Sequence, residues 1–218
     1  MTTPTLKLPT LIGIAILLVG ISRIASGQSN EIDYKYTITV HSTLPPYTFH
    51  LIVNEDKSEV GAVHSVSRIE IRRSDKPGIF QILKKFKTYH PYWEGAFVAK
   101  DLNFDGYLDL MLEYDWGSGG RWSHVWLFSP KTKKFIYHDE LSKLSTLEPD
   151  SPTRTLTTVE QSGACCGTNC VYHFVKGKLD QISEENTWFD ERIHRSIRET
   201  KLFQKRKVVS VTVDTLAE

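Results

Sequence analysis

Ile69 and Ile71 alternate with Arg68, Glu70 and Arg72, and Val209, Val211 and Val213 alternate with Ser210, Thr212 and Asp214. A period of two is that of a half-buried strand. Clusters of turn-forming residues punctuate the chain at positions 54–56, 75–78, 103–106, 117–120, 129–132, 149–152 and 176–178, and each can reverse the chain between strands. The clearest hairpins run from Trp126 to Tyr137 and from Val171 to Ile182, each a pair of aromatic and β-branched strands about a short polar turn. From Asp190 to Phe203 the helix and strand periods fit almost equally, with Ile193 and Ile197 at i, i+4. A strand is favoured there because KRKVVSVTVDTL can pair back onto it. No fixed-length repeat or low-complexity tract is present, so the expectation is a single all-β domain over residues 28–218, an antiparallel meander of hairpins.

The first 27 residues stand apart. Lys7 precedes the apolar run Leu8 to Ile21, LPTLIGIAILLVGI, which is followed by the small residues Ala25-Ser26-Gly27. This is the pattern of a secretory signal peptide. The run is shorter than the roughly 20 residues a helix needs to cross a bilayer; an uncleaved anchor with Arg23 behind it is the alternative. No cysteine lies near the cleavage region, which speaks against a lipid anchor. No second segment of spanning length follows, so the mature part is expected to be periplasmic or secreted and not membrane-spanning. The whole chain of 218 residues carries 27 basic and 26 acidic side chains, and without Lys7 and Arg23 the remainder has 25 basic and 26 acidic, a net charge of −1. Such a balance offers no field to gather phosphates, so nucleic acid is not the expected partner.

The strongest chemical signal is DLNFDGYLD, Asp101 to Asp109. Oxygen-bearing side chains recur at Asp101, Asn103 and Asp105, Gly106 permits a sharp turn, Tyr107 can offer its carbonyl, and Asp109 adds a further carboxylate. Alternation of this kind wraps a hard cation in oxygens and suits Ca2+. An EF-hand would need Glu at the twelfth position, where Leu112 stands, and helices on both sides, where strands are expected. The competing reading is an Asx-rich turn without metal, but carboxylates so crowded repel one another unless a cation sits among them.

That DxNxDGxxD loop between strands resembles those of integrin-type FG-GAP and VCBS repeats, in which it holds calcium for structural purposes. The longer stretch VAKDLNFDGYLDLML, with GSGGRWSHVWLFSPKTKKFIYHDELSKL after it, is similar to one bacterial family of exported, β-propeller-like proteins. That family includes periplasmic inhibitors of I-type lysozymes and the immunity protein against a peptidoglycan hydrolase delivered by a bacteria-killing type IV secretion system. The resemblance covers about Phe97 to Leu179, with the WLFxPxTxxF and YHFVKGKL hairpins as further markers. It implies a β-propeller-like fold, structural calcium, and a peptidoglycan hydrolase or lysozyme as partner.

The segment suited to meeting that partner is Ser118, Gly119, Gly120, Arg121 and Trp122. Glycines let a backbone approach another surface closely, and Trp and Arg dominate interface hot spots. Lysozyme inhibitors of several kinds carry a loop resembling S-G-x-x-Y that enters the active cleft. Ser118, Gly119 and Trp122 match it, with Trp in place of Tyr. The competing reading is a wide hairpin turn whose tryptophans pack in the core.

The cysteines lie together in SGACCGTNCVYH. In an exported protein the expectation is one disulfide, Cys166 with Cys170, or Cys165 with Cys170. A Cys3His zinc site with His173 is the alternative, although two adjacent cysteines rarely both reach one tetrahedral metal. The eight histidines are scattered, and neither H-E-x-x-H nor G-x-S-x-G occurs. The chain therefore reads as a binding protein and not an enzyme: an inhibitor of a peptidoglycan hydrolase or lysozyme, with a carbohydrate-binding or adhesive module carrying structural calcium as the alternative.

Overall fold

The computed structural model describes residues 32–58, 61–84, 86–88, 95–163, 166–175 and 177–216. Residues 1–27, expected to form a signal peptide, and Cys165 lie outside them. Fourteen strands and one 3-10 turn, Leu141–Lys143, make up the described regular structure. No helix among the described residues is long and apolar enough to cross a membrane.

The strands form three antiparallel sheets that follow one another along the chain. The first holds β1 (Ile32–Ile38), β2 (Tyr47–Ser58), β3 (Gly61–Arg73) and β4 (Gln81–Leu83). The second holds β5 (Phe97–Lys100), β6 (Asp109–Gly117), β7 (Gly120–Ser129) and β8 (Lys134–Tyr137). The third holds β9 (Glu148–Asp150), β10 (Thr155–Gln161), β11 (Gly167–Val175), β12 (Lys178–Asp190), β13 (Arg195–Gln204) and β14 (Lys207–Thr215). Within each sheet every strand pairs with its neighbour in sequence, so the meander expectation holds, although the expected turn at 54–56 lies inside β2, paired with β3. Among the described residues the sheets form neither a closed barrel nor a closed propeller. The ambiguous segment is extended: Arg195–Gln204 pairs with Lys207–Thr215, and Ile193 lies in the turn before it.

The second sheet is the middle layer. Leu110 and Leu112 of β6, with Trp126 and Phe128 of β7, face the first sheet and join Tyr47, Phe49, Leu51, Ile69 and Ile71. Met111 and Val125 face the other way, onto Leu156 and Leu179 of the third sheet and onto Leu102, Leu141 and Leu147. A strand covered on both faces carries a continuous apolar run in place of an alternating one, and Asp109 to Leu112 are all buried. The first interface is aromatic: Phe128 lies edge-on to Phe135 at 5.2 Å between centroids, and Phe135 to Phe49 at 5.5 Å. Edge-to-face rings gain about 0.5–1.5 kcal/mol beyond the area they bury.

One side chain joins the edges of the first two sheets. Gln81 of β4 donates from Nε2 to the carbonyl of Phe135 in β8 at 2.7 Å, and the Phe135 N–H donates to Gln81 Oε1 at 3.0 Å. The amide thus copies the paired bonds of a β-ladder across a seam where no backbone strand reaches. Gln81→Ala leaves both Phe135 groups without these partners, and a destabilisation of about 2 kcal/mol is expected at roughly 1 kcal/mol per bond. Denaturant unfolding of the variant against the parent measures it; a change within about 0.5 kcal/mol, typical of a neutral surface position, would contradict the seam.

Candidate functional site

The Asp-rich loop connects β5 to β6 and turns where the sequence places the turn. Gly106 has φ 89° and Phe104 φ 60°, the left-handed region that glycine enters without steric cost. The loop closes on its own side chains. Asp101 accepts from the N–H groups of Asp105 and Gly106 at 3.1 and 2.9 Å, Asn103 Oδ1 accepts from Asp105 N–H at 3.1 Å, and Asp105 Oδ1 accepts from Tyr107 N–H at 3.0 Å. Asn103 Nδ2 donates to Asp105 Oδ2 at 3.1 Å. Burial raises the Asp101 carboxyl above its ordinary value, and the charge of Asp105 adds to the rise while the loop N–H groups oppose it. The Tyr107 ring is sandwiched between His41 at 4.4 Å and Phe128 at 5.3 Å. Arg154 Nη2 donates to the Phe104 carbonyl at 2.7 Å and ties the loop to the third sheet.

Asp109, fully buried, points inward from the same loop. Its Oδ2 accepts from Leu102 N–H at 2.9 Å and its Oδ1 from Phe128 N–H at 2.8 Å. Burial pushes its carboxyl up to about 7, against the pull of those two N–H donors; Asp105 and Asp101 push in the same direction as burial. Asp101, Asn103 and Asp105 therefore converge, while Asp109 stands behind them as the brace between loop and sheet. Among the described residues no group of three His, Cys, Asp or Glu side chains is gathered closely enough to hold an ion. A cation here would draw on the Asn103 amide oxygen and a backbone carbonyl as well as carboxylates, an all-oxygen set that fits calcium.

The second candidate segment is the tip of the β6–β7 hairpin. Gly117 pairs with Gly120, so Ser118 and Gly119 form the turn. The third sheet and the loop before it hold this tip. Gln161 N–H donates to Gly119 O at 2.9 Å, Thr146 N–H to Arg121 O at 2.7 Å, and Arg121 N–H to Thr146 Oγ1 at 3.1 Å, and Trp122 bridges Ser145. Gly120 has φ 142°, and a Cβ there would come within 3.0 Å of Thr146 Oγ1, 3.1 Å of Ser145 Cβ and 3.2 Å of Val159 O. The glycines thus serve close packing within the molecule. Ser118, Arg121 and Trp116 are exposed, and the half-buried Trp122 ring lies against Gly119. Trp116, directly before the turn, is of the same hot-spot residue type as Arg121 and Trp122; Thr146 and Gln161 were not singled out from the sequence, because nothing local connects positions so far from the GSGG turn with it.

No protein-family model matches the chain, and no curated protein matches its sequence. Among solved structures, that of a Xanthomonas type IV secretion system related protein matches with a TM-score of 0.58 at 12% identity, covering 90% of this chain and 98% of that one. The likeness shows the fold. It extends over all three sheets, well beyond the stretch from which the sequence resemblance was drawn.

The expected Cys166–Cys170 disulfide is not formed. Cys170 lies within β11 and Cys166 immediately precedes that strand, and residues four apart along an extended chain are about 13 Å apart. A disulfide needs Cα atoms within about 7 Å. Cys170 is a buried thiol that accepts from Gln181 Nε2 at 3.4 Å, and burial raises its pKa. The alternative partner, Cys165, lies outside the described residues. A buried thiol with a raised pKa is unreactive, so iodoacetamide should modify Cys170 only after unfolding; peptide mapping after native alkylation tests this.

The glycine packing gives a second expectation. Gly120→Ala should destabilise the fold by more than about 1 kcal/mol, since Ala is strained at positive φ, whereas Gly117→Ala, with open space around the added Cβ, should be nearly neutral. Equal effects in thermal unfolding would contradict the clamp.

Proposed function

We propose that this is an exported, calcium-stabilised protein that inhibits a peptidoglycan hydrolase or lysozyme, as an immunity or lysozyme-inhibitor protein and not an enzyme. The observation that carries the reading is the hairpin tip: residues 117–122 are fixed by Thr146 and Gln161 while Ser118 and Arg121 remain exposed. A tip fixed before binding loses little freedom on insertion into a cleft, which favours affinity. The similar fold of a type IV secretion system related protein suits an immunity role. Three successive meanders packed face to face also suit the propeller-like arrangement that the resemblance implies. In this reading Asp101, Asn103, Asp105 and the Tyr107 carbonyl hold the ion, with Asp109 as the innermost oxygen. The ion neutralises the carboxylates and stiffens the β5–β6 connection.

One observation favours a second reading. Trp116 is exposed beside the same tip, and an exposed indole can stack on sugar rings, as a carbohydrate-binding or adhesive module would require.

The test is hydrolysis of purified cell wall by an I-type lysozyme and by any peptidoglycan hydrolase encoded beside the gene, with this protein titrated in. Inhibition is expected, and Arg121→Ala should weaken it about 10-fold to 100-fold, on the order of 1.4 to 2.7 kcal/mol. No inhibition of either enzyme, together with binding to isolated glycan strands, would favour the adhesive reading. Chelation tests the ion separately. At about 100 times its dissociation constant, calcium adds roughly 2.7 kcal/mol to stability, so chelator should lower the melting temperature, and Asp105→Ala should abolish that response.

A further inference from the structure

The last strand leaves its apolar side chains in water. All nine residues of β14 are exposed, with Val209 at 59%, Val211 at 54% and Val213 at 60%. One row of its backbone groups pairs with β13, and among the described residues no strand lies along its outer edge. Natural edge strands are blunted by an interior charge, a proline, a bulge or shortness, because an open ladder edge templates pairing with another chain. Here Val208 to Val213 contains neither charge nor proline. The register irregularity leaves Val209 of β14 without a partner residue on β13, at the hairpin end of the pair, and the span from Ser210 to Thr215 is regular.

We infer that β14 pairs antiparallel with β14 of a second copy of this chain, about a two-fold axis at Val211, joining two six-stranded sheets into one. The strand is its own complement. Its centre is apolar, its start is basic through Lys205, Arg206 and Lys207, and its end carries Asp214. Antiparallel self-pairing sets the basic start of each copy beside the acidic end of the other, whereas parallel pairing would place like charges together, which is unfavourable between opposed strands. Asp214 also meets Arg198 of β13 at 3.3 Å, and Arg206 donates to the Leu179 carbonyl at 3.2 Å, so Lys207 is the cation best placed to answer the second copy. Antiparallel pairing about this axis sets Val209, Val211 and Val213 against one another on one face, the β-branched cross-strand contact that stabilises sheets. The surface lies in the third sheet and is separate from both the Asp-rich loop and the hairpin tip.

Sedimentation velocity on the intact protein tests the pairing. A dimer population growing between about 1 and 100 μM is expected, the range of modest affinities. Val211→Lys places two ammonium groups near the axis and should weaken association at least about tenfold, the equivalent of about 1.4 kcal/mol, with an unchanged melting temperature. Val211→Thr keeps a β-branched residue and should retain the dimer. Lys207→Glu, remote from the apolar centre, should weaken association by opposing Asp214 of the second copy. A protein that stays monomeric throughout this range overturns the inference, and so does a dimer indifferent to both Val211→Lys and Lys207→Glu.

Discussion

A carboxylate without access to water holds the centre of this molecule together. Asp109 begins β6, accepts from Leu102 in the loop before it, and accepts from Phe128 in the adjacent β7. Leu102 belongs to the core beneath the third sheet and Phe128 to the core beneath the first. One side chain therefore fixes the registration of both hydrophobic cores against the middle sheet. Placing an acid there is costly, and the cost is offset by the two backbone N–H groups that donate to it. The converging oxygens of Asp101, Asn103 and Asp105 depend on the same contact, since it anchors the loop that presents them.

Local pattern made much of the architecture legible. The alternation of Ile69 and Ile71 with charged residues marks β3, and the two polar turns within 126–137 and 171–182 locate hairpins that the structure contains. The turn at Gly106 was legible for the same reason, because a glycine among Asx residues leaves few other conformations. What was not legible is what depends on distant parts of the chain. No local signal says that Gln81 will complete the backbone of Phe135, or that Thr146 and Gln161 will hold a turn beginning at Gly117.

The cysteines show how spacing misleads. SGACCGTNC reads as a loop that a disulfide could staple, but residues 167–170 already belong to a strand, and extension separates Cys166 from Cys170. The glycines of the hairpin show a gentler form of the same difficulty. A glycine-rich turn suggests close approach of backbone to another surface, and the surface that Gly119 and Gly120 approach is the molecule's own third sheet. Ser118 and Arg121, beside those glycines, are what the turn presents outward.

β6 has the Asp-rich loop at one end and the hairpin tip at the other. Nine extended residues separate them by about 25 Å, so no small ligand spans both. The intervening strand is buried at its start on both faces, and its register against β7 shifts between Glu113 and Asp115, an irregularity of the kind that bends a strand. Any influence of the loop on the tip must pass through that irregular strand and not through a shared contact. The irregularity at Glu113 to Asp115 lets the tip take its direction from Thr146 and Gln161 across the gap to the third sheet, and not from the charge at the far end of β6.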